Sequence, residues 1–445
     1  NVLDFQAMGI TDEEKNNYIG ELRTLRAWFY IFLIDFYRNV PIFTEKDAPD
    51  ELLAQATPEE VFSYIESELK DVLPQLKKEN IVGRFTQAPA AALLARIYFN
   101  SQVWLNVDRS ADCKTFCEDI IAGKYGEYHI NQNDYRDPFR SGIKGYRSPE
   151  LLFEFPHKRN VYQFGGFHDS FLHYTSGQAL GNPDGGNNGI HMTPSRDFDG
   201  NVYSFASQLG TPYEKYADCD YRKQPFQITS ANGDYEGFFM IGTQYKFDYT
   251  KGYGYTNETV KGTEEYKGEP LIYVDQVGRF SEGLSTAKEK GSRVTTGEEN
   301  SGVRFNKFPY LQEGDGLYMC QSAPEIRLTE IYYMLAEINY RSGNKAKAAE
   351  LLDFIRVRNY PADEWGKYSY VQNPALLTDQ EFVDEWGREF IGERRRRSDL
   401  IRWGRFGNAW WDKDVDPSDK EYTIFPIPKR QLDANPLLKQ TTKGW

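Results

Sequence analysis

Apolar residues recur at three- and four-residue spacing through both ends of the chain, the period at which a helix buries one face. From Glu325 the pattern puts Leu328, Ile331, Leu335 and Ile338 on one face and stops at Gly343. Asn344 then predicts the cap of a second helix with Ala348, Leu352 and Ile355 facing inward, an antiparallel helical hairpin. Thr57 to Leu105 reads as another. Both have near-tetratricopeptide length and small residues at close helix contacts, although the Trp-Leu-Gly-Tyr consensus is weak. Helix starts are marked by a hydroxyl followed three residues later by glutamate: Thr11 with Glu14, Thr57 with Glu60, and Thr378 with Glu381. Pro58 takes the first helical position of the second of these.

Between about Arg140 and Tyr310 this periodicity fades. Gly and Asn become frequent and single Tyr and Phe stand among polar residues, as in Gly181-Asn-Pro-Asp-Gly-Gly-Asn-Asn-Gly189 and Tyr249-Thr-Lys-Gly-Tyr-Gly-Tyr255. Loop-rich insertions on a rigid frame are where recognition usually resides. The expected architecture is predominantly α and a single domain over 1–445: a helical-repeat part at 1–139, a variable insertion at 140–310, and a second helical part at 311–445.

Composition narrows the function. A net charge of −13 disfavours a nucleic-acid partner, which needs clustered Lys and Arg to neutralise phosphates. The one dense basic run, Arg394 to Arg397, is bracketed by Glu393 and Asp399 and reads as a solvated or ion-paired helix face. No stretch approaches the roughly 20 apolar residues of a membrane helix. Cys113, Cys117, Cys219 and Cys320 are too few for a disulfide scaffold and read as packing residues or free thiols. There is no nucleophile elbow, phosphate loop or His-Glu-x-x-His, and the five histidines show no metal-ligand spacing beyond His168 and His173. The reading is therefore non-catalytic, with no cofactor and no metal.

Four segments in order carry a family resemblance. The clearest is Gly387-Arg-Glu-Phe-Ile-Gly-Glu393 through Ser398-Asp-Leu-Ile-Arg-Trp-Gly404, followed by Phe425-Pro-Ile-Pro428, Leu432 to Gln440 and a terminal Gly444-Trp445. With Leu25 to Pro41, Ala90 to Trp104 and Arg327 to Glu337, it resembles the SusD/RagB family of lipid-anchored nutrient-binding proteins that sit on outer-membrane transporters. Arg38 replaces the glycine usual in the family's Tyr-Gly-Asn-Val-Pro turn. Family members usually carry a further N-terminal helical stretch, so part of the family's fold and ligand site is expected to lie outside these residues.

The resemblance implies a tetratricopeptide-like fold and a SusC-type TonB-dependent transporter as partner. It also implies placement on the bacterial outer membrane through a lipid anchor not present in this chain. Ser148-Pro-Glu-Leu-Leu-Phe-Glu154 looks like the strand opening the family's variable region. Gly166-Phe-His168 through Tyr174, Asn188-Gly189 and Gly242-Thr-Gln244 are similar to its starch-binding branch. A saccharide site needs flat aromatic faces for sugar C–H groups and planar amides or carboxylates for hydroxyls. The candidates are Phe167, His168, Tyr174, Tyr235 and Tyr245 for stacking, with Asn188 and Gln244 as polar partners. Phe164, Phe238, Tyr253, Tyr255, Gln178, Asn187 and Asp248 are further possibilities, and the alternative for each is packing within the insertion. Trp410 and Trp411 form an adjacent pair that either packs on the C-terminal lobe or offers a competing site. A peptide-binding receptor of the RagB type remains the alternative function. A helical-repeat scaffold that binds only protein leaves the aromatic insertion without a purpose.

Overall fold

The computed structural model describes residues 9–48, 50–157, 176–180, 195–196, 201, 212–230, 234–248, 254–263, 267–276, 298–308, 311–313, 316–318, 321–409 and 413–443. Its frame is a run of helices: α1 Asp12–Tyr37, α2 Pro58–Val72, α3 Gln87–Leu105 and α4 Ser110–Ile121. After the insertion come α5 Leu328–Arg341, α6 Lys345–Arg356, α7 Trp365–Tyr368, α8 Asp379–Glu389, α9 Arg396–Arg402 and α10 Lys429–Ala434. From α1 to α6 each helix packs on the next, so α4 meets α5 across the whole insertion. This is the predominantly helical, repeat-like architecture that the periodicity predicts.

Two of the three expected capping boxes close fully. Thr11 and Thr57 accept from the backbone of Glu14 and Glu60, whose carboxylates reach back to the threonine backbone. At α8 only half forms: Thr378 accepts from Glu381 N–H, but the Glu381 carboxylate turns instead to Tyr370 and Arg388. The carboxylate goes to the buried Arg388 cation, and the Thr378 backbone N–H donates instead to the Leu376 carbonyl (2.9 Å). Arg38 ends α1 at φ 61°, on the side of the backbone map that glycine enters freely. Its guanidinium offsets that strain by donating to the carbonyls of Ile34 (2.7 Å) and Asp35 (2.6 Å), closing the helix end.

The expected helix from Glu325 begins three residues later. Ala323–Arg327 is a strand, antiparallel to Leu151–Phe155 with Leu151 opposite Arg327 and Phe155 opposite Ala323. Pairing satisfies these backbone groups, and Leu328 N–H then donates to the Glu150 carbonyl (2.8 Å) as the helix starts. The ribbon is the neck of the insertion, its outgoing and returning strands side by side.

Two cores result. The larger joins α1–α6 and α8 around Ile34, Leu69, Leu93, Ile331, Leu352 and Trp386. The insertion has its own, made largely of aromatic rings: Phe139, Tyr216, Tyr235, Phe238, Phe239, Tyr273, Phe305 and Phe308. Short antiparallel strand pairs such as Phe239–Met240 with Arg304–Phe305 hold it together. Cys113 and Cys117 lie one turn apart and buried in α4, their sulfurs 3.8 Å apart as free thiols.

Leu352 is fully buried between α6 and α5. Leu352→Ala should cost about 2–5 kcal/mol through lost burial and the cavity left behind. Chemical denaturation of parent and variant checks this, and an unchanged midpoint would place the residue outside the core.

Candidate functional site

The C-terminal motif builds a lattice of buried charge that joins the frame to the insertion. Arg327, at the end of the returning strand, bonds Glu150 (2.7 Å), Glu389 (3.0 Å) and Glu393 (2.7 Å). Arg358, after α6, reaches Glu150 (2.6 Å) and Glu389 (3.3 Å). From the insertion, Arg222 meets Glu389 (3.1 Å) and Lys307 meets Glu393 (2.6 Å). Gly392 completes the joint: at φ 75° it presents no Cβ where the insertion's Phe305 ring packs. The basic run is ion-paired rather than solvated at two positions, with Arg395 on Glu330 (3.2 Å) and Arg397 on Asp35 (2.5 Å).

Burial by itself would raise the Glu150 carboxyl, but Arg358 and Arg327 overcome it and hold it at about 2. The same contest holds Glu385 at about 2, with Arg388, Arg356 and Arg222 opposing burial. Asp399 shows the opposite outcome: burial pushes it up to about 6 despite Arg402.

On the insertion's surface, Tyr245–Asp248 pairs antiparallel with Gly254–Thr259. Tyr245 and Tyr255 are exposed on this hairpin, at 44% and 40%. Phe247 supports Tyr255 edge-on at 4.9 Å, and the Tyr255 hydroxyl accepts from Ile228 N–H (3.2 Å), so that ring is held in place. Lys246 and Glu258 form an ion pair across the strands (3.0 Å). The hairpin therefore offers flat rings beside charged groups able to take hydroxyls.

Among the expected contacts, Tyr245 and Tyr255 lie exposed in the described residues. Tyr235 is fully buried: its ring packs on Phe226 and its hydroxyl donates to the Lys307 carbonyl (3.3 Å), which makes it a core residue rather than a stacking face. Gln244 is buried too, its amide donating to the Gly242 carbonyl (2.8 Å). Phe238 belongs to the same core. Phe167, His168, Tyr174 and Asn188 lie outside the described residues, as do Phe164, Tyr253, Asn187, Trp410 and Trp411. Sequence reasoning missed the lattice cations Arg222, Lys307 and Arg358, which carry no periodic or motif signal.

A cavity of about 660 Å³ is lined by Phe32 and Phe36 of α1, Phe99 of α3, Trp386 of α8, Arg394 to Asp399, and Lys215 and Tyr216 of the insertion. Among the described residues no cluster of His, Cys, Asp or Glu is arranged to hold a metal ion, and no helix is long and apolar enough to cross a membrane.

Residues 149–445 match the model of the SusD family, and residues 4–99 match a family model described as starch-binding and associating with the outer membrane. The chain belongs to the SusD family. It is 23% identical over 451 residues to the starch-binding protein SusD of Bacteroides thetaiotaomicron, covering 98% of this chain and 74% of that one. A SusD superfamily structure from Parabacteroides distasonis shares the fold at a TM-score of 0.65 and 16% identity, covering 100% of this chain and 81% of that one. A laminarin-binding SusD-like protein superposes at a TM-score of 0.56 with 20% identity, covering 100% and 82%. The SusD-family match takes in the whole lattice-forming C-terminal motif.

Glu150 tests the lattice. Its folded carboxyl sits far below the ordinary value of 4.5, so its contribution to stability is complete above about pH 4.5 and is lost as pH falls toward 2. Glu150→Gln leaves Arg327 and Arg358 under-compensated and should destabilise the protein at pH 7 by about 3–5 kcal/mol. The variant should also lose less stability than the parent between pH 4.5 and 2. Urea unfolding at pH 7, 4 and 3 measures both effects, and parallel pH profiles would show that Glu150 is not held ionised by the lattice.

Proposed function

We propose that this SusD-family protein is a non-catalytic glycan receptor of the bacterial cell surface. It captures oligosaccharide or polysaccharide and passes it to an outer-membrane TonB-dependent transporter of the SusC type, and a lipid anchor tethers it to the membrane. The observation that carries the reading is the insertion hairpin, with Tyr245 and Tyr255 exposed and Tyr255 braced from behind. A family description that names starch binding at the outer membrane and a laminarin-binding structural relative support it. Affinity would come from a preformed, shallow aromatic face, with no ordering of loops required at each encounter. The helical frame is left to hold the transporter.

Tyr245→Ala should weaken glycan binding about tenfold, since stacking contributes on the order of 1 kcal/mol beyond the area buried. The fold should remain intact, because Tyr245 supports little of the core. Calorimetry against starch, laminarin and a panel of other polysaccharides, with peptides as the control arm, measures this. Retention of peptides and no glycan would favour the RagB-type reading instead. Release of reducing ends, abolished by a single Asp or Glu substitution, would overturn the non-catalytic assignment.

A further inference from the structure

A second aromatic surface, sharing no residue with the hairpin, forms where the insertion meets the helical frame. It is built on α7 and the loop before Lys223. Tyr368 stacks on the buried ring of Tyr360 with centroids 4.8 Å apart and planes within 13°. Trp365 leans on the same ring at 5.7 Å and 39°. Behind them the buried Arg356 guanidinium lies 5.6 Å from both Tyr360 and Trp365 and 3.6 Å over Tyr370. Tyr221, exposed at 39%, stacks on Tyr135 at 6.2 Å, and its backbone N–H donates to the Asn359 carbonyl (2.9 Å), one residue before Tyr360. Cys219 lies beside Tyr368, which brings the two loops together.

Anchoring this loop does not require Trp365. Asp353 already ties it to α6, accepting from Ser369 Oγ (2.6 Å), Tyr370 N–H (3.1 Å) and Val371 N–H (3.0 Å). Trp365 and Tyr368 nonetheless stay half-exposed on this rigid base, and Gly366 and Lys367 between them are exposed. The rim carries both signs of charge: Asp218 with Lys223 (2.7 Å) and Glu364 with Lys367 (2.7 Å). Rigid rings edged by balanced carboxylates and ammoniums suit a neutral, hydroxyl-rich ring better than a polyanion.

We propose that Trp365 and Tyr368, with Tyr221 beside them, form a second saccharide subsite that takes a neutral sugar residue of a long glycan. This inference rests on the glycan-binding reading. A chain engaging both the hairpin and this platform gains avidity that a short oligosaccharide cannot, because the second contact becomes intramolecular.

The experiment compares the parent with Trp365→Ala, Tyr221→Ala and Tyr245→Ala on starch and laminarin and on their six-residue oligosaccharides, each variant's melting temperature being recorded. For whichever polysaccharide the parent retains, Trp365→Ala and Tyr221→Ala should each weaken binding about five- to tenfold. Binding of the short oligosaccharide at the hairpin should remain, whereas Tyr245→Ala should weaken both ligands. Tyr221, on a separate loop, keeps the test valid if Trp365→Ala lowers the melting temperature. Polysaccharide affinity unchanged in both platform variants, with Tyr245→Ala impaired, would overturn the subsite and leave the receptor reading standing. A parent that binds neither polysaccharide would remove both.

Discussion

The fold depends on a lattice of buried charge whose hub is Arg327. This one guanidinium touches Glu150 at the neck of the insertion and both Glu389 and Glu393 of the C-terminal motif. Desolvating so many charges is expensive, and such a cluster survives only if each member is paired and hydrogen-bonded. Here the carboxylates are shared: Glu150 and Glu389 each serve both Arg327 and Arg358, and Glu389 also receives Arg222. The fixed fork of arginine suits this sharing, since its donors diverge to different carboxylates without moving.

The functional reading follows from that joint. Among its described residues the loop-rich insertion has little regular backbone pairing, and its strand pairs are mostly two residues long. Its rigidity comes from the aromatic core and from two cations, Arg222 and Lys307, plugged into the C-terminal motif. Exposed rings at the periphery are therefore presented by a surface pinned at its base. Preorganisation of this kind lets a shallow face bind without a large ordering cost.

Much of the helical frame was legible in the sequence because its determinants are local. A hydroxyl and a glutamate three residues apart close a cap wherever they occur, as at Thr11 and Thr57, and three–four apolar spacing buries Ile331, Leu335 and Leu352 as expected. The failures also have local explanations that lie outside the sequence window. Glu325 reads as helix until the strand Leu151–Phe155, some 170 residues earlier, claims its neighbours. Glu381 reads as half of a capping box until Arg388 draws its carboxylate away. Tyr235 and Gln244 carry the residue types of a sugar site, yet identical types also build a loop core, and burial alone separates the two uses.

The sequence by itself determined the helical hairpins, most of their caps and the family, because these reside in spacings of a few residues and in one contiguous motif. Tertiary structure alone decided where the charges of that motif go and which aromatic rings reach solvent. Arg222, Lys307, Arg327 and Arg358 come from four distant points of the chain to meet Glu150, Glu389 and Glu393. No local pattern encodes such a convergence, since a charge's burial depends on which partners the fold brings within reach. The same holds for the aromatics: Tyr245 and Tyr235 are alike in sequence context, and only the packing of the insertion core leaves one ring in water and the other enclosed.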